Sequence, residues 1–298
     1  VRSIIRRQKG MKIIRTVKEM QQFALQSKNE GKTIGFVPTM GYLHEGHQSL
    51  MQEARKQNDL VVLSIFVNPL QFGPNEDLDR YPRDEEHDKQ VAKQEKVDVL
   101  FLPAVEEMYP ESLSIKMSVT KRADVLCGRS REGHFEGVVT VLSKLFHIVL
   151  PTRAYFGLKD AQQAAIVQAL IEDYNFPIEL VLVPTVREED GLAKSSRNVY
   201  LSDEERQEAV YISQALTFGR ELVQQGEKNP KVIEEKVKQF IIEKTSGKID
   251  YVELLAYPTL MPVEKIEKSV ILATAVFFEK ARLIDNTIFD QDGKLIFE

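Results

Sequence analysis

The strongest constraint on what this chain can fold into is an alternation between Thr33 and Val183, where short apolar, β-rich runs are separated by helical stretches. The runs are Thr33 to Pro38, Leu60 to Val67, Val97 to Leu102, Ala154 to Phe156 and Ile178 to Val183. Between them, His47 to Lys56, Asp84 to Glu95, Val138 to Leu150 and Asp160 to Tyr174 read as helices. The last carries an apolar stripe of Ala161, Ala165, Val167, Leu170 and Ile171. Strands that are apolar throughout are covered on both faces, and helical crossovers between them predict a parallel sheet. Ile115 to Thr120 reads as an extra edge strand. Ligands of such sheets bind beyond the carboxyl ends of the strands, so loops that follow strands are expected to carry chemistry.

After Val186 the pattern changes. Arg187 to Ser202 is polar and loop-like, Asp203 to Gln225 and Pro230 to Lys244 have helical periodicity, and Tyr251 to Ala256 and Val270 to Ile284 read as strands. The 298 residues suit two domains at roughly 150 residues each. The expected fold class is α/β, with a Rossmann-like doubly wound parallel sheet over 1–186 and a smaller C-terminal α+β lid domain over 187–298. No low-complexity linker separates them, which predicts a site between the two. Lys and Arg number 40 against 45 Asp and Glu, a net charge of −5, so nothing global draws the chain to nucleic acid or to an anionic membrane. Any anion site must be local. The one cysteine, Cys127, excludes an internal disulfide and a Cys/His zinc pattern and reads as a packed residue. The longest apolar runs fall well short of the ~20 residues of a membrane helix, so a cytoplasmic protein is expected. Residues 1–10 are basic without a secretory core and read as an extension before a fold that begins near Met11.

The most informative stretch is Phe36-Val-Pro-Thr-Met-Gly-Tyr-Leu-His-Glu-Gly-His47, which leads from a strand into a helix. Two of the five histidines stand three residues apart, with Gly46 letting a ligand approach the backbone. A helix N-terminus adds amide donors and a positive dipole end, which suit phosphate. Imidazoles there can donate to phosphoryl oxygens or move a proton. The competing readings are a helix cap with a surface histidine, and a two-histidine metal pair. The motif is not HExxH, and no third ligand is evident. Further along, Gly191-Leu-Ala-Lys-Ser-Ser-Arg-Asn198 gathers two cations and two hydroxyls in four residues.

HxGH after the first strand, paired with a Lys/Ser loop, resembles nucleotidylyltransferases and class I aminoacyl-tRNA synthetases. Five segments in order narrow the resemblance to the pantothenate synthetase (pantoate-β-alanine ligase) family, along nearly the whole chain from Met11. They are Pro38 to His47, Phe66 to Asp77 with Tyr81-Pro-Arg83, Gly133 to Val138, Tyr155 to Gln163, and Ser195 to Asn198.

The resemblance implies ATP-dependent condensation of pantoate with β-alanine through pantoyl adenylate, releasing diphosphate and AMP. It implies that His44 and His47 hold the transferring phosphate, with His47 as proton donor, and that Lys159 and Arg197 face the departing diphosphate. The ATP site it implies is Met40, Gly41, His44, Gly46, His47, Gly157, Lys159, Asp160, Val186, Lys194, Ser195, Ser196 and Arg197. Gln71 and Gln163 match pantoate contacts, and Gln71 also borders β-alanine. In purely chemical terms, Asn68 and Gln71 offer neutral amides to a carboxylate or hydroxyl. Lys159 is a mobile point charge, and Asp160 can cap the next helix or orient a ribose or cation. Mg²⁺ is expected on the phosphate oxygens, with its protein ligands unassigned. A homodimer through the larger domain is implied as well. The family more often has Glu where Leu158 stands and often Met where Lys194 stands, so neither side chain is expected to be essential. Asn75 to Arg83 reads as a gate over the site. Arg131 and His134 read as a structural turn, His147 as a helix or core residue and His87 as solvated. The rival functions are another HxGH nucleotidylyltransferase, a non-catalytic nucleotide sensor, and a metal-dependent hydrolase built on His44 and His47.

Overall fold

The computed structural model describes residues 10–74, 76 and 78–297. The N-terminal extension, Gly10 apart, and two positions of the expected gate, 75 and 77, lie outside the described residues. Six strands form a parallel sheet in the order β1-β4-β3-β2-β5-β6. They are β1 (Lys12–Ile14), β2 (Ile34–Thr39), β3 (Leu60–Ile65), β4 (Val99–Phe101), β5 (Arg153–Gly157) and β6 (Glu179–Val183). Alternate residues enter opposite cores: Phe36, Val62, Ala154 and Phe156 one, Val37, Val61, Leu63 and Tyr155 the other. Helices α1 (Val17–Asn29), α6 (His134–Val149) and α7 (Ala161–Asp173) cover the first face. Helices α2 (Glu45–Gln57) and α3 (Glu85–Gln94) cover the second. Both faces are therefore dry, which explains the unbroken apolar runs. Two single-turn helices, α4 (Val105–Met108) and α5 (Cys127–Ser130), lie between β4 and α6. Strand order reverses between β2 and β5, and at such a switch point the loops diverge and leave a ligand crevice.

The second sheet is antiparallel, β7 (Lys248–Ala256), β8 (Val270–Phe277) and β9 (Arg282–Phe289), with β8 central. One face of β8, Val270, Leu272 and Val276, packs under α8 (Asp203–Gln224) and α9 (Pro230–Lys244). Its other face, Ile271, Ala273 and Ala275, joins the core that contains α6 and α7.

The structure departs from expectation in three respects. Val270 to Ile284 is a hairpin rather than one strand: the charged pair Glu279-Lys280 sits at a turn where the Phe278 N–H donates to the Ala281 carbonyl at 2.8 Å. Ile115 to Thr120 is not a strand. Ile115 is 80% exposed while Met117 and Val119 lie against the α6 side of the core, and the edge beside β4 belongs to β1, with Lys12 opposite Val99. The third concerns α1, which had not been expected. Its start is signalled by Thr16, whose hydroxyl accepts from the Glu19 N–H, and by Met20, Ala24 and Ser27 buried on one stripe. Among the described residues no helix is long and apolar enough to cross a membrane.

Candidate active site

The turn from β2 to α2 is built from outside. Gly41 and Tyr42 both have positive φ, 87° and 53°. Asp88 of α3 is buried and accepts from the N–H groups of Tyr42 at 2.9 Å and Leu43 at 2.7 Å. A Cβ at position 41 would lie 2.9 Å from Asp88 Oδ2, so only glycine fits. His87, expected to be solvated, places Nε2 3.0 Å from the Leu43 carbonyl oxygen. Helix α3 thus grips the motif loop at three backbone atoms.

His44 is the N-cap of α2. The Gly46 N–H donates to His44 Nδ1 at 3.1 Å, and the His44 N–H donates to His47 Nδ1 at 3.3 Å. With both Nδ1 atoms accepting, each neutral ring carries its proton on Nε2 and is a hydrogen-bond donor there. Burial and then the Lys159 charge bring His44 down to about 4. Burial, then His44 and Lys159, bring His47 down to about 3. Both rings are therefore neutral N–H donors at pH 7.

After β3, Asn68 caps a 3-10 turn, Pro69–Gln71. Asn68 is 1% exposed; its Nδ2 donates to Gln71 Oε1 at 2.9 Å and to the Gly137 carbonyl at 3.1 Å, and its Oδ1 accepts from the Tyr109 hydroxyl at 2.9 Å. Asn68 thus engages the oxygen end of the Gln71 amide and leaves Nε2 as the group for a ligand. After β5, the turn Leu158–Asp160 is held by Asn286 of β9, whose Nδ2 donates to the carbonyls of Leu158 at 2.9 Å and Lys159 at 3.0 Å. Leu158 points into the core. Asp160 occupies the N-cap position of α7, but its side chain makes no capping hydrogen bond, contrary to expectation.

The polar loop after β6 folds back on itself, with the Lys194 N–H donating to the Val186 carbonyl at 2.9 Å. Arg187 pins it to β9 through Asp285, at 2.7 and 3.0 Å. Ser195 caps the 3-10 turn Ser196–Tyr200. The Lys194 ammonium lies 2.6 Å from Glu188 and 3.2 Å from Glu45, and these carboxylates raise its pKa.

These turns converge on a cavity of about 240 Å³. Its lining includes Met40, His44, Gly46, His47, Gln71, Gly157, Lys159, Asp160, Gln163, Val186, Lys194, Ser195, Ser196 and Arg197. Of the residues expected at the site, Gly41 and Asn68 stand behind this wall: Gly41 shapes the loop and Asn68 orients Gln71. A second cavity of about 670 Å³ adjoins the first, sharing Arg131, His134, Lys159, Asp160, Gln163, Ser195 and Arg197. Sequence reasoning missed Asp88, Asp285 and Asn286. The last two were visible only as polar residues interrupting an apolar strand. The expected turn at Arg131 and His134 is present, with the His134 N–H donating to the Arg131 carbonyl at 3.2 Å, and His134 is buried at its end, while His147 is an exposed helical residue.

The chain as a whole is similar to known proteins. A family model described as pantoate-beta-alanine ligase matches residues 12–288. A pantothenate synthetase of Geobacillus sp. (strain WCH70) is 62% identical over 274 residues, covering 92% of this chain and 97% of the relative. One from Bacillus cereus (strain G9842) is 59% identical over 276 residues, covering 93% and 98%. Among solved structures, pantothenate synthetase from Thermus thermophilus superposes with a TM-score of 0.87 at 44% identity, over 93% of this chain and 98% of that one. A pantoate-beta-alanine ligase from Francisella tularensis, complexed with beta-gamma ATP and beta-alanine, gives 0.76 at 33% identity, over 95% and 98%. The chain belongs to the pantoate-β-alanine ligase family.

Proposed function

We propose that this chain joins pantoate to β-alanine using ATP, by way of pantoyl adenylate. The observation that carries the reading is one cavity in which two Nε2–H histidines meet Lys159, Arg197 and the amides of Gln71 and Gln163. The Francisella relative, complexed with a nucleotide and β-alanine, supports it. In the first step a pantoate carboxylate oxygen bonds to the α-phosphorus of ATP, and the bond to the bridging oxygen breaks, releasing diphosphate. In the second the β-alanine amine bonds to the acyl carbon and AMP departs as the amine proton is lost. Neither step needs a nucleophile from the protein, so its contribution is position and charge. His44 and His47 donate to the oxygens of the transferring phosphate. A bound phosphate raises the pKa of His47, and that is the condition under which it also gives a proton. Lys159 and Arg197 stabilise the departing diphosphate, Asp160 and the glycine-bounded turns hold the nucleoside, and Gln71 and Gln163 hold pantoate.

Asp160 is the carboxylate of the wall, which Lys159 and three histidines, His44, His47 and His134, also line. Among the described residues no cluster of three metal-ligating side chains exists, so Mg²⁺ would arrive on phosphate oxygens with Asp160 as its one protein oxygen donor, and would there neutralise negative charge. We place the domain boundary at Val186/Arg187, with the smaller unit closing on the larger. The homodimer carried by the resemblance is checked by light scattering, and residence in the cytoplasm by fractionation.

The decisive measurement is exchange of labelled diphosphate into ATP. The protein is expected to catalyse it with pantoate and without β-alanine. Exchange without pantoate would point to another nucleotidylyltransferase, ATP binding with no exchange to a sensor, and tightly bound zinc with hydrolysis to the metal reading.

A further inference from the structure

His134 is the first residue of α6, and its ring is buried, with the residue 9% exposed. Arg131 NH1 lies 3.0 Å from its Nε2. A guanidinium only donates, so Nε2 accepts and Nδ1 carries the proton. Nδ1 donates to the main-chain carbonyl oxygen of Gln71 at 2.8 Å. Arg131 is itself held by a two-pronged contact with Glu76, Nε to Oε1 at 2.8 Å and NH2 to Oε2 at 2.7 Å. On the other side of the 3-10 turn the α6 backbone comes so close that a Cβ at Gly137 would stand 2.2 Å from the Leu70 carbonyl oxygen. The main chain of Gln71 is therefore clamped between Gly137 and the His134 ring, with its side-chain amide aimed by Asn68.

We propose that Arg131 and His134, anchored by Glu76, are positioning residues that set where the Gln71 amide meets pantoate. The inference rests on the pantoate reading above. It identifies the purpose of a buried histidine and an arginine that line the substrate cavity without belonging to the phosphate-facing set.

The test is steady-state kinetics on the whole chain, with KM measured separately for pantoate and ATP. His134→Ala is expected to raise KM for pantoate roughly tenfold, the scale of one lost hydrogen bond, with KM for ATP within about twofold. His134→Asn, whose amide falls where Nδ1 was, is expected to restore KM to within about threefold of the parent, whereas His134→Gln, whose amide falls nearer Nε2, is not. Arg131→Lys keeps a charge for Glu76 but loses the fork to it and the separate NH1 contact to His134, and should show the same selective rise even where His134→Ala fails to fold. An unchanged pantoate KM, or equal rises for pantoate and ATP, would overturn the proposal. Absence of pantoate-dependent exchange in the parent protein would instead overturn the reading it rests on.

Discussion

Lys159 and Lys194 line the same cavity, yet their surroundings assign them different work. Lys194 is neutralised by Glu188 and Glu45. The main chain of Lys159 is fixed by Asn286, and its charge helps to depress both motif histidines. Lys159→Ala is expected to slow diphosphate exchange by on the order of 10²-fold, as for loss of an oxyanion donor. Lys194→Met should stay within about threefold, since two carboxylates already cancel its charge. Comparable losses in both variants would remove the distinction. The histidines set a pH dependence too. His44, His47 and His134 are lowered from 6.5 to about 4, 3 and 4, chiefly by burial. Below 6.5 the unfolded chain binds protons that the folded chain refuses, so stability rises with pH through this window and is lost on acidification. Urea midpoints should fall between pH 7 and pH 5, and His47→Gln should flatten that fall. An unaltered slope in the variant would mean that the ring titrates normally in the fold.

At the level of elements, the sheet and most helices were legible because burial on both faces writes itself into continuous apolar runs. The β2 to α2 turn was legible because phosphate chemistry needs donors at a helix start. What holds those donors was not. Asp88 lies 45 residues from Leu43, and Asn286 lies 127 from Lys159. Neither contact leaves a local pattern, since an acidic residue in a helix reads as a solvated face and an Asn in a strand reads as noise. Gly46 shows a second reason for glycine that the motif alone does not carry. A Cβ there would sit 2.9 Å from His44 Cε1, so its smallness makes room for the imidazole ring. Helix α3 accordingly fixes the motif loop from behind, through Asp88 and His87. Asp88→Ala frees two backbone N–H groups, that of Leu43 buried and that of Tyr42 part-buried, and lets the motif loop drift. A displacement near 1 Å is expected to cost up to about 10²-fold in exchange rate. Unchanged exchange in a folded Asp88→Ala protein would show that the loop holds itself.

Across the whole molecule, the site exists because two sheets meet at one seam. The larger sheet contributes the turns after β2, β3 and β5, while β9 of the smaller sheet holds the Lys159 turn through Asn286 and the 187–197 loop through Asp285. The Asp285 side chain is 4% exposed and that of Arg187 32%, so the buried carboxylate relies on this guanidinium for its charge compensation. The paired carboxylate in turn raises the Arg187 pKa. Breaking such a pair on one side costs far more than replacing both, because a lone buried charge keeps its desolvation penalty. Arg187→Met is therefore expected to destabilise the fold by roughly 3–5 kcal/mol in urea unfolding. The double variant Arg187→Met with Asp285→Asn should recover more than half of that loss, because the neutral amide has no charge to strand. The same comparison separates stability from function: the double variant refolds the seam but leaves the loop less firmly placed, so KM for ATP should stay raised while the unfolding midpoint returns. If the single variant costs less than about 1 kcal/mol, as an exposed pair would, the seam is wetter than this geometry requires and the loop is held elsewhere.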